Sequence, residues 1–139
     1  MMNINTLFVI ASLLFTQAYA AEAKLLVTLD KPESNVGAKN VIKLKIKNTF
    51  KEAITSARAT VFLTDENGKL VGQSTQWIIG GTKDKPPLKP DAVSTFNFVI
   101  KTDKPFSTTK LIFNRILLDG GKVADVVKDV ELDHKPGSP

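Results

Sequence analysis

The chain has 139 residues and carries a formal net charge of +5, from 19 basic and 14 acidic residues. A length of this order predicts one domain. Cys is absent, the one His is His134, and Met occurs only at positions 1 and 2. This composition excludes thiol catalysis, disulfides and metal sites built from Cys or several His. We therefore expect a domain that is not an enzyme and holds no cofactor and no metal.

Residues 1–20 have the pattern of a secretory signal peptide. The apolar run from Leu7 to Phe15 is followed by Ala18-Tyr19-Ala20, which matches a small-residue cleavage site. The run is shorter than the about 20 residues that span a bilayer. An N-terminal anchor or a buried strand is the alternative. We predict cleavage after Ala20, a periplasmic or secreted protein that is not transmembrane after cleavage, a domain at 21–132 and a flexible tail at 133–139.

The chain beyond residue 20 alternates apolar and polar residues in short segments, which predicts β-strands separated by turns. Between Val41 and Asn48, the residues Ile42, Leu44 and Ile46 point to one side and three lysines to the other. The segment from Ala57 to Thr64 alternates in the same way and runs into Asp65-Glu66-Asn67-Gly68, a hairpin signal. The remaining predicted strands in this part are Lys24 to Asp30, Leu70 to Ile79 and Val93 to Ile100, and the longest irregular stretch is 80–92.

The last two predicted strands, Lys110 to Asp119 and Lys122 to Leu132, form a hairpin around Gly120-Gly121. A three-residue loop would place Leu118 opposite Ala124, Ile116 opposite Val126 and Ile112 opposite Val130, all on the core side. That register also places Asn114 on the core side. A bulge or a strand end at Asn114 would resolve this conflict.

Seven short strands joined by turns in about 110 residues are typical of a β-sandwich. We predict an all-β domain, an immunoglobulin-like antiparallel β-sandwich of about seven strands, with a barrel as the alternative.

Three segments carry a resemblance to known proteins. They are Asn48, the stretch 61–72 (VFLTDENGKLVG), and Leu88-Lys89-Pro90 leading to Phe96-Asn97-Phe98. Together they resemble the bacterial extracytoplasmic immunoglobulin-like modules of the FxLYD kind and their adhesion-related relatives. The resemblance covers roughly residues 40–100. It implies the fold, an exported location and a binding or spacer role without catalytic residues.

The predicted hairpin leaves an apolar row on the outer side of its first strand. Phe113, Arg115 and Leu117 would face solvent there, and apolar residues with one Arg are typical of a protein interface. We predict that these three residues bind a partner, either a protein or a cell-envelope component. A shift of the register by one residue would bury the row instead. The only tryptophan, Trp77, is expected to pack in the core, with exposed binding as the alternative.

The positive charge suggests a second function. The excess consists of 17 Lys against 2 Arg, without interleaved aromatic residues, which argues against nucleic acid. An anionic polysaccharide or lipid head group at the cell envelope is the alternative partner. It would be bound by the lysines that line one predicted strand and crowd one loop. They are Lys43, Lys45, Lys47, Lys83, Lys85 and Lys89.

The polar residues near the C-terminus do not predict a reaction. His134 lies in a Pro/Gly-rich tail without a nucleophile on a rigid element. The carboxylates of Asp125, Asp129, Glu131 and Asp133 are expected along the outward side of the last strand. Side chains spaced along one extended strand diverge, so they do not converge on a cation.

Overall fold

The computed structural model describes residues 23–30, 37 and 39–133. These residues form strands and turns, without a helix in the described ranges. The seven strands are β1 (Leu25–Leu29), β2 (Lys39–Asn48), β3 (Ile54–Thr64), β4 (Leu70–Ile79), β5 (Val93–Lys101), β6 (Thr108–Leu118) and β7 (Val130–Asp133).

The strands form two sheets, and the prediction of a seven-stranded all-β sandwich is confirmed. One sheet has four strands in the order β5-β2-β1-β7, and the other has three in the order β4-β3-β6. Neighbouring strands are antiparallel except for β1 and β7, which are parallel. The core lies between the sheets.

Period-2 alternation places the core residues of β2 and β3 as predicted. Ile42, Leu44 and Ile46 are buried, while the lysines between them are exposed. In β3, the buried residues are Ala57, Ala59, Val61 and Leu63. Burial of an aliphatic side chain of the size of Leu or Ile stabilises the fold by about 1.5 to 3 kcal/mol. These two strands therefore supply the centre of each inner face.

The end of β2 is fixed by a buried asparagine. The side-chain amide of Asn48 donates to the carbonyl oxygens of Leu88 and Glu52, both at 3.0 Å, and its Oδ1 accepts from the amide of Phe50 at 2.8 Å. The Asn48 carbonyl also accepts from the amide of Asp91. One side chain thus holds the turn after β2 against the loop before β5.

The predicted hairpin between the last two strands is wrong beyond its first residues. Leu117 pairs with Val123, and the amide of Ala124 donates to the carbonyl of Ile116. The chain then leaves this sheet, and β7 pairs with β1 in the other sheet. Neither the predicted pairing of Leu118 with Ala124 nor that of Ile112 with Val130 is formed.

A turn at Asp125–Asp129 redirects the chain from one sheet to the other. The Asp125 carboxylate accepts from the amides of Val127 and Lys128, and the Asp129 carboxylate accepts from the amide of Asp125. The amides of Lys128 and Val127 lower the pKa of Asp125 below its usual value. These two carboxylates are therefore part of a turn, and the expectation that they line a strand is wrong for both.

A bulge in β6 changes which residues face the core. Arg115 pairs with Arg58, and Phe113 pairs with the next residue of β3, Ala59, so Asn114 is the extra residue. Ile116 and Leu118 are buried after the bulge, as predicted, but before it the buried residue is Phe113, while Ile112 is 37% exposed. The bulge lies at Asn114, the polar residue that the predicted register placed on the core side. The Asn114 Oδ1 accepts from the Thr60 hydroxyl at 3.0 Å.

Candidate functional site: the outer face of the three-stranded sheet

The outer side of the three-stranded sheet combines aromatic, apolar and arginine side chains, and we call it the arginine–tryptophan face. Cross-strand pairing aligns its members in rows that run across β4, β3 and β6. These rows are Leu70, Thr64 and Thr108; Gln73, Phe62 and Lys110; Thr75, Thr60 and Ile112; Trp77, Arg58 and Arg115; and, on β3 and β6 alone, Ser56 and Leu117.

The row of Trp77, Arg58 and Arg115 crosses the full width of this sheet. The guanidinium carbon of Arg58 lies 5.8 Å from the centre of the Trp77 ring, within the range of a cation–π contact. Arg58 and Arg115 are direct cross-strand partners and both are exposed. The row therefore presents one aromatic ring and two positive charges side by side.

Apolar side chains lie in the other rows of the face, with Leu117 and Ile112 in the two rows next to this one and Phe62 and Leu70 farther along the strands. Phe62, Trp77 and Leu117 are half-buried, Ile112 is 37% exposed and Leu70 is 49% exposed. In the middle of the face, the Thr60 hydroxyl hydrogen-bonds to the Thr75 hydroxyl and to the Asn114 Oδ1, so these three polar atoms already have partners. The strands β3, β4 and β6 contain no Asp or Glu, and their only charges are Arg58, Lys110 and Arg115.

The loop at 80–92 packs against Trp77. The Lys85 ammonium donates to the Trp77 carbonyl at 2.6 Å and lies 4.7 Å from the centre of the Phe96 ring. Gly81 has φ of +76°, and a Cβ atom there would lie 2.4 Å from Cγ of Trp77. Only glycine lets the backbone pass this close to the indole in that conformation.

The structure separates the three predicted partner-binding residues. Arg115 and Leu117 lie on the arginine–tryptophan face, but Phe113 is 5% exposed and packs in the core, so its predicted outward position is wrong. Ile112 takes its place on the outer side because of the bulge at Asn114. Trp77, expected in the core, is half-buried on the outer face.

Sequence reasoning missed Arg58 and Phe62 as members of the face. The alternation of buried Ala57, Ala59 and Val61 was the available signal, because it leaves the residues between them on the outer side. The sequence contains no pattern that predicts the pairing of Arg58 with Arg115. This pairing depends on the bulge in β6, and β3 and β6 are far apart in sequence.

The six lysines predicted to bind a polyanion fall into two groups. Lys43, Lys45 and Lys47 are exposed on the outer side of the four-stranded sheet, together with Lys39 and Lys101, and we call these five residues the lysine face. The two ion pairs among the described residues, Lys24–Glu131 and Lys122–Glu52, include none of them.

The loop lysines differ among themselves. Lys83 and Lys89 are exposed, while Lys85 is half-buried and already engaged with the Trp77 carbonyl and the Phe96 ring. Lys85 therefore has a structural role in the loop.

No group of three or more His, Asp or Glu side chains close enough to hold a metal ion occurs within residues 23–30, 37 and 39–133. Glu131 and Asp133 lie on β7, as expected, and His134 lies outside the described residues. No helix in the described part of the chain is long and apolar enough to span a membrane.

Comparison with known proteins shows the fold alone. No family model and no curated protein matches this sequence, so the FxLYD resemblance stays a prediction. The solved structure of IrmA from Escherichia coli is similar with a TM-score of 0.51 and 11% identity, over 83% of this chain and 96% of that one. An ApaA-like protein from Bordetella pertussis has a TM-score of 0.51 and 14% identity, over 73% of this chain and 85% of that one. At these identities the likeness extends to the sandwich fold and not to a family.

Proposed function

We propose that this chain is an exported, non-catalytic immunoglobulin-like domain that binds another protein through the arginine–tryptophan face. The observation that carries the proposal is the row of Trp77, Arg58 and Arg115 among apolar side chains. Trp and Arg are enriched at the residues that dominate the energy of protein interfaces, and charged residues other than Arg are depleted at the centre of such interfaces. The absence of acidic residues from the three strands fits this composition.

The proposal includes no reaction because of the side chains that the full sequence offers for catalysis. A chain with one His and no Cys lacks the usual nucleophiles and general bases other than hydroxyls, amines and carboxylates. Among the described residues, the two carboxylates with a lowered pKa both have structural partners: Glu52 accepts from the Lys122 ammonium, and Asp125 accepts from backbone amides of a turn. Binding is the function that the outer face supports.

Export is a separate part of the proposal, supported by the apolar run Leu7 to Phe15 and by Ala18-Tyr19-Ala20. We expect mass spectrometry of the natively produced protein to find Ala21 as its first residue. Recovery of protein beginning at Met1 from the cytosol would show that it is not exported.

The binding surface can be tested by site-specific crosslinking, because a chain without Cys accepts a label at one introduced thiol. Ile112→Cys places a photoreactive maleimide on the arginine–tryptophan face. Val99→Cys, at a side chain that is 51% exposed, places it on the outer side of the four-stranded sheet as the matched control. After irradiation with the extracytoplasmic fraction, we expect a discrete protein adduct from position 112 alone. Unlabelled protein should compete for it, and unlabelled Trp77→Ala protein should not.

The lysine face favours a second function, the binding of an anionic polysaccharide or lipid head group at the cell envelope. Alternate residues of a strand lie on one side about 6.6 to 6.8 Å apart, so Lys43, Lys45 and Lys47 form a regular row of charges. An adduct from position 99 alone in the crosslinking experiment would favour this surface and would contradict binding through the arginine–tryptophan face. An absence of protein adducts at both positions would contradict the binding of a protein through either sheet.

A further inference from the structure

The two arginines of the chain are placed against each other without a compensating charge. Arg58 and Arg115 are the only arginines in the sequence, and they are direct partners across β3 and β6. Cβ atoms of directly opposed antiparallel residues lie about 4.5 to 5.5 Å apart, and like charges at such positions repel. The ion pairs among the described residues involve neither arginine. The fold therefore concentrates uncompensated positive charge at one point of the arginine–tryptophan face.

Trp77 orients one of these two side chains before any partner arrives. The Arg58 guanidinium lies over the indole ring at 5.8 Å. Gly81 packs against the Trp77 side chain, and the Lys85 ammonium donates to the Trp77 backbone carbonyl. A side chain that is already restricted loses less conformational freedom on binding. Arg58 is therefore a prepositioned donor next to a second, freely exposed donor, Arg115.

We propose that Arg58 and Arg115 bind the carboxylates of an acidic segment of the partner protein, while Trp77 and Ile112 contact its apolar side chains. A guanidinium donates two parallel hydrogen bonds to one carboxylate, a geometry that a lysine ammonium does not provide. Bound carboxylates would also remove the repulsion between the two arginines. This inference rests on the proposed function and adds the chemistry of the partner.

Charge complementarity argues against a second copy of this chain as the occupant. Within the described part of the chain, the outer side of its four-stranded sheet carries the five residues of the lysine face and only two carboxylates, Glu131 and Asp133, of which Glu131 is already paired with Lys24. The strands of its three-stranded sheet carry no acidic residue. Both sheets therefore present a net positive charge to the arginine–tryptophan face of another copy, and that charge opposes the association of two copies.

The indole of Trp77 is a local reporter for the test, because it is the only tryptophan of the chain. The probe is a hexaglutamate peptide with blocked ends, and the uncharged control is hexaglutamine. Titration of the mature protein should give a saturable change in tryptophan emission with hexaglutamate and none with hexaglutamine. Arg115→Gln should weaken the affinity about tenfold or more, since hydrogen bonds to charged groups are among the stronger ones.

Two further variants separate arginine-specific binding from general attraction. The double variant Lys45→Gln with Lys47→Gln removes two charges from the opposite sheet and should leave the affinity within about twofold. The double variant Arg58→Lys with Arg115→Lys keeps both charges but should still lose affinity, because the two-pronged donor is gone. The proposal would be overturned if Lys45→Gln with Lys47→Gln weakened the affinity for hexaglutamate as much as Arg115→Gln does. It would also be overturned if Arg58→Lys with Arg115→Lys kept the full affinity. Unchanged thermal unfolding of each variant confirms that the fold is intact.

Crosslinking distinguishes failure of this inference from failure of the proposed function. Ile112→Cys should lose its protein adduct when Arg58 and Arg115 are both replaced by Gln. An adduct that persists in that background shows that the face binds a protein without the help of carboxylates, and it overturns the inference alone. An adduct that is missing even with both arginines present overturns the proposed function itself.

Discussion

Phe113→Ala should destabilise the domain by about 3 to 5 kcal/mol, the range found when a core Phe is truncated. Phe113 is 5% exposed and is the cross-strand partner of the fully buried Ala59, so its removal leaves a cavity between the sheets. Urea denaturation measures the effect as a lower midpoint with an unchanged slope.

The matched control is the neighbouring residue on the opposite side of the strand. Ile112→Ala removes a side chain that is 37% exposed, and we expect it to cost about 1 kcal/mol or less. A large loss of stability for Ile112→Ala together with a small loss for Phe113→Ala would mean that the bulge at Asn114 is absent and that β6 has the register inferred from the sequence.

Asn48→Ala should cost about 2 to 4 kcal/mol of unfolding free energy. The substitution leaves the Phe50 amide without its acceptor, which costs about 1 to 3 kcal/mol. It also removes the hydrogen bonds to the carbonyls of Glu52 and Leu88, each worth about 0.5 to 1.5 kcal/mol, although the Leu88 carbonyl still accepts from the Ile54 amide. Asn97→Ala is the control, because Asn97 is an exposed residue on β5 for which a change within about 0.5 kcal/mol is expected. Thermal and urea unfolding of the two variants should differ clearly. Equal stabilities would show that the Asn48 contacts do not hold the loops together.

The sequence predicts the strands whose alternation is unambiguous. From Ile42 to Asn48 in β2, apolar residues occupy one parity only, so burial of Ile42, Leu44 and Ile46 follows from the period of the strand. In β3, the buried residues Ala57, Ala59, Val61 and Leu63 share one parity, and Phe62 is the one apolar residue among them at the other. The hairpin turn after β3 was also predicted, and there the Asp65 carboxylate accepts from the amides of Asn67 and Lys69.

The sequence of β6 does not determine its register in this way. Apolar residues stand at both parities, at 111, 112 and 113 and again at 116, 117 and 118. A period-2 pattern fits either side, and only the pairing with β3 decides which side is buried. The same limit applies to the site, because the juxtaposition of Arg58 and Arg115 follows from the bulge and not from either strand alone.

The sequence pattern also does not predict that β7 leaves the hairpin and pairs with β1. A hairpin loop is a local signal, whereas the parallel pairing of β7 with β1 joins segments about a hundred residues apart. The local signal was genuine for Leu118 and Lys122, whose backbone atoms do form a hydrogen bond. The hairpin pairing ends before Asp125, where the carboxylates of Asp125 and Asp129 accept hydrogen bonds from the amides of a turn.

The parallel pairing of β1 with β7 also determines how the domain carries a mechanical load. Leu25 lies beside Val130 and Thr28 beside Asp133, so the two strands are parallel. The N-terminal end of β1 and the C-terminal end of β7 therefore lie at opposite ends of the pair. A force that pulls these two ends apart acts along the strands. It loads their hydrogen bonds together in shear, whereas an antiparallel hairpin pulled at its open ends yields one bond at a time. Tension applied at these two ends is therefore resisted by the hydrogen bonds of the whole pair at once.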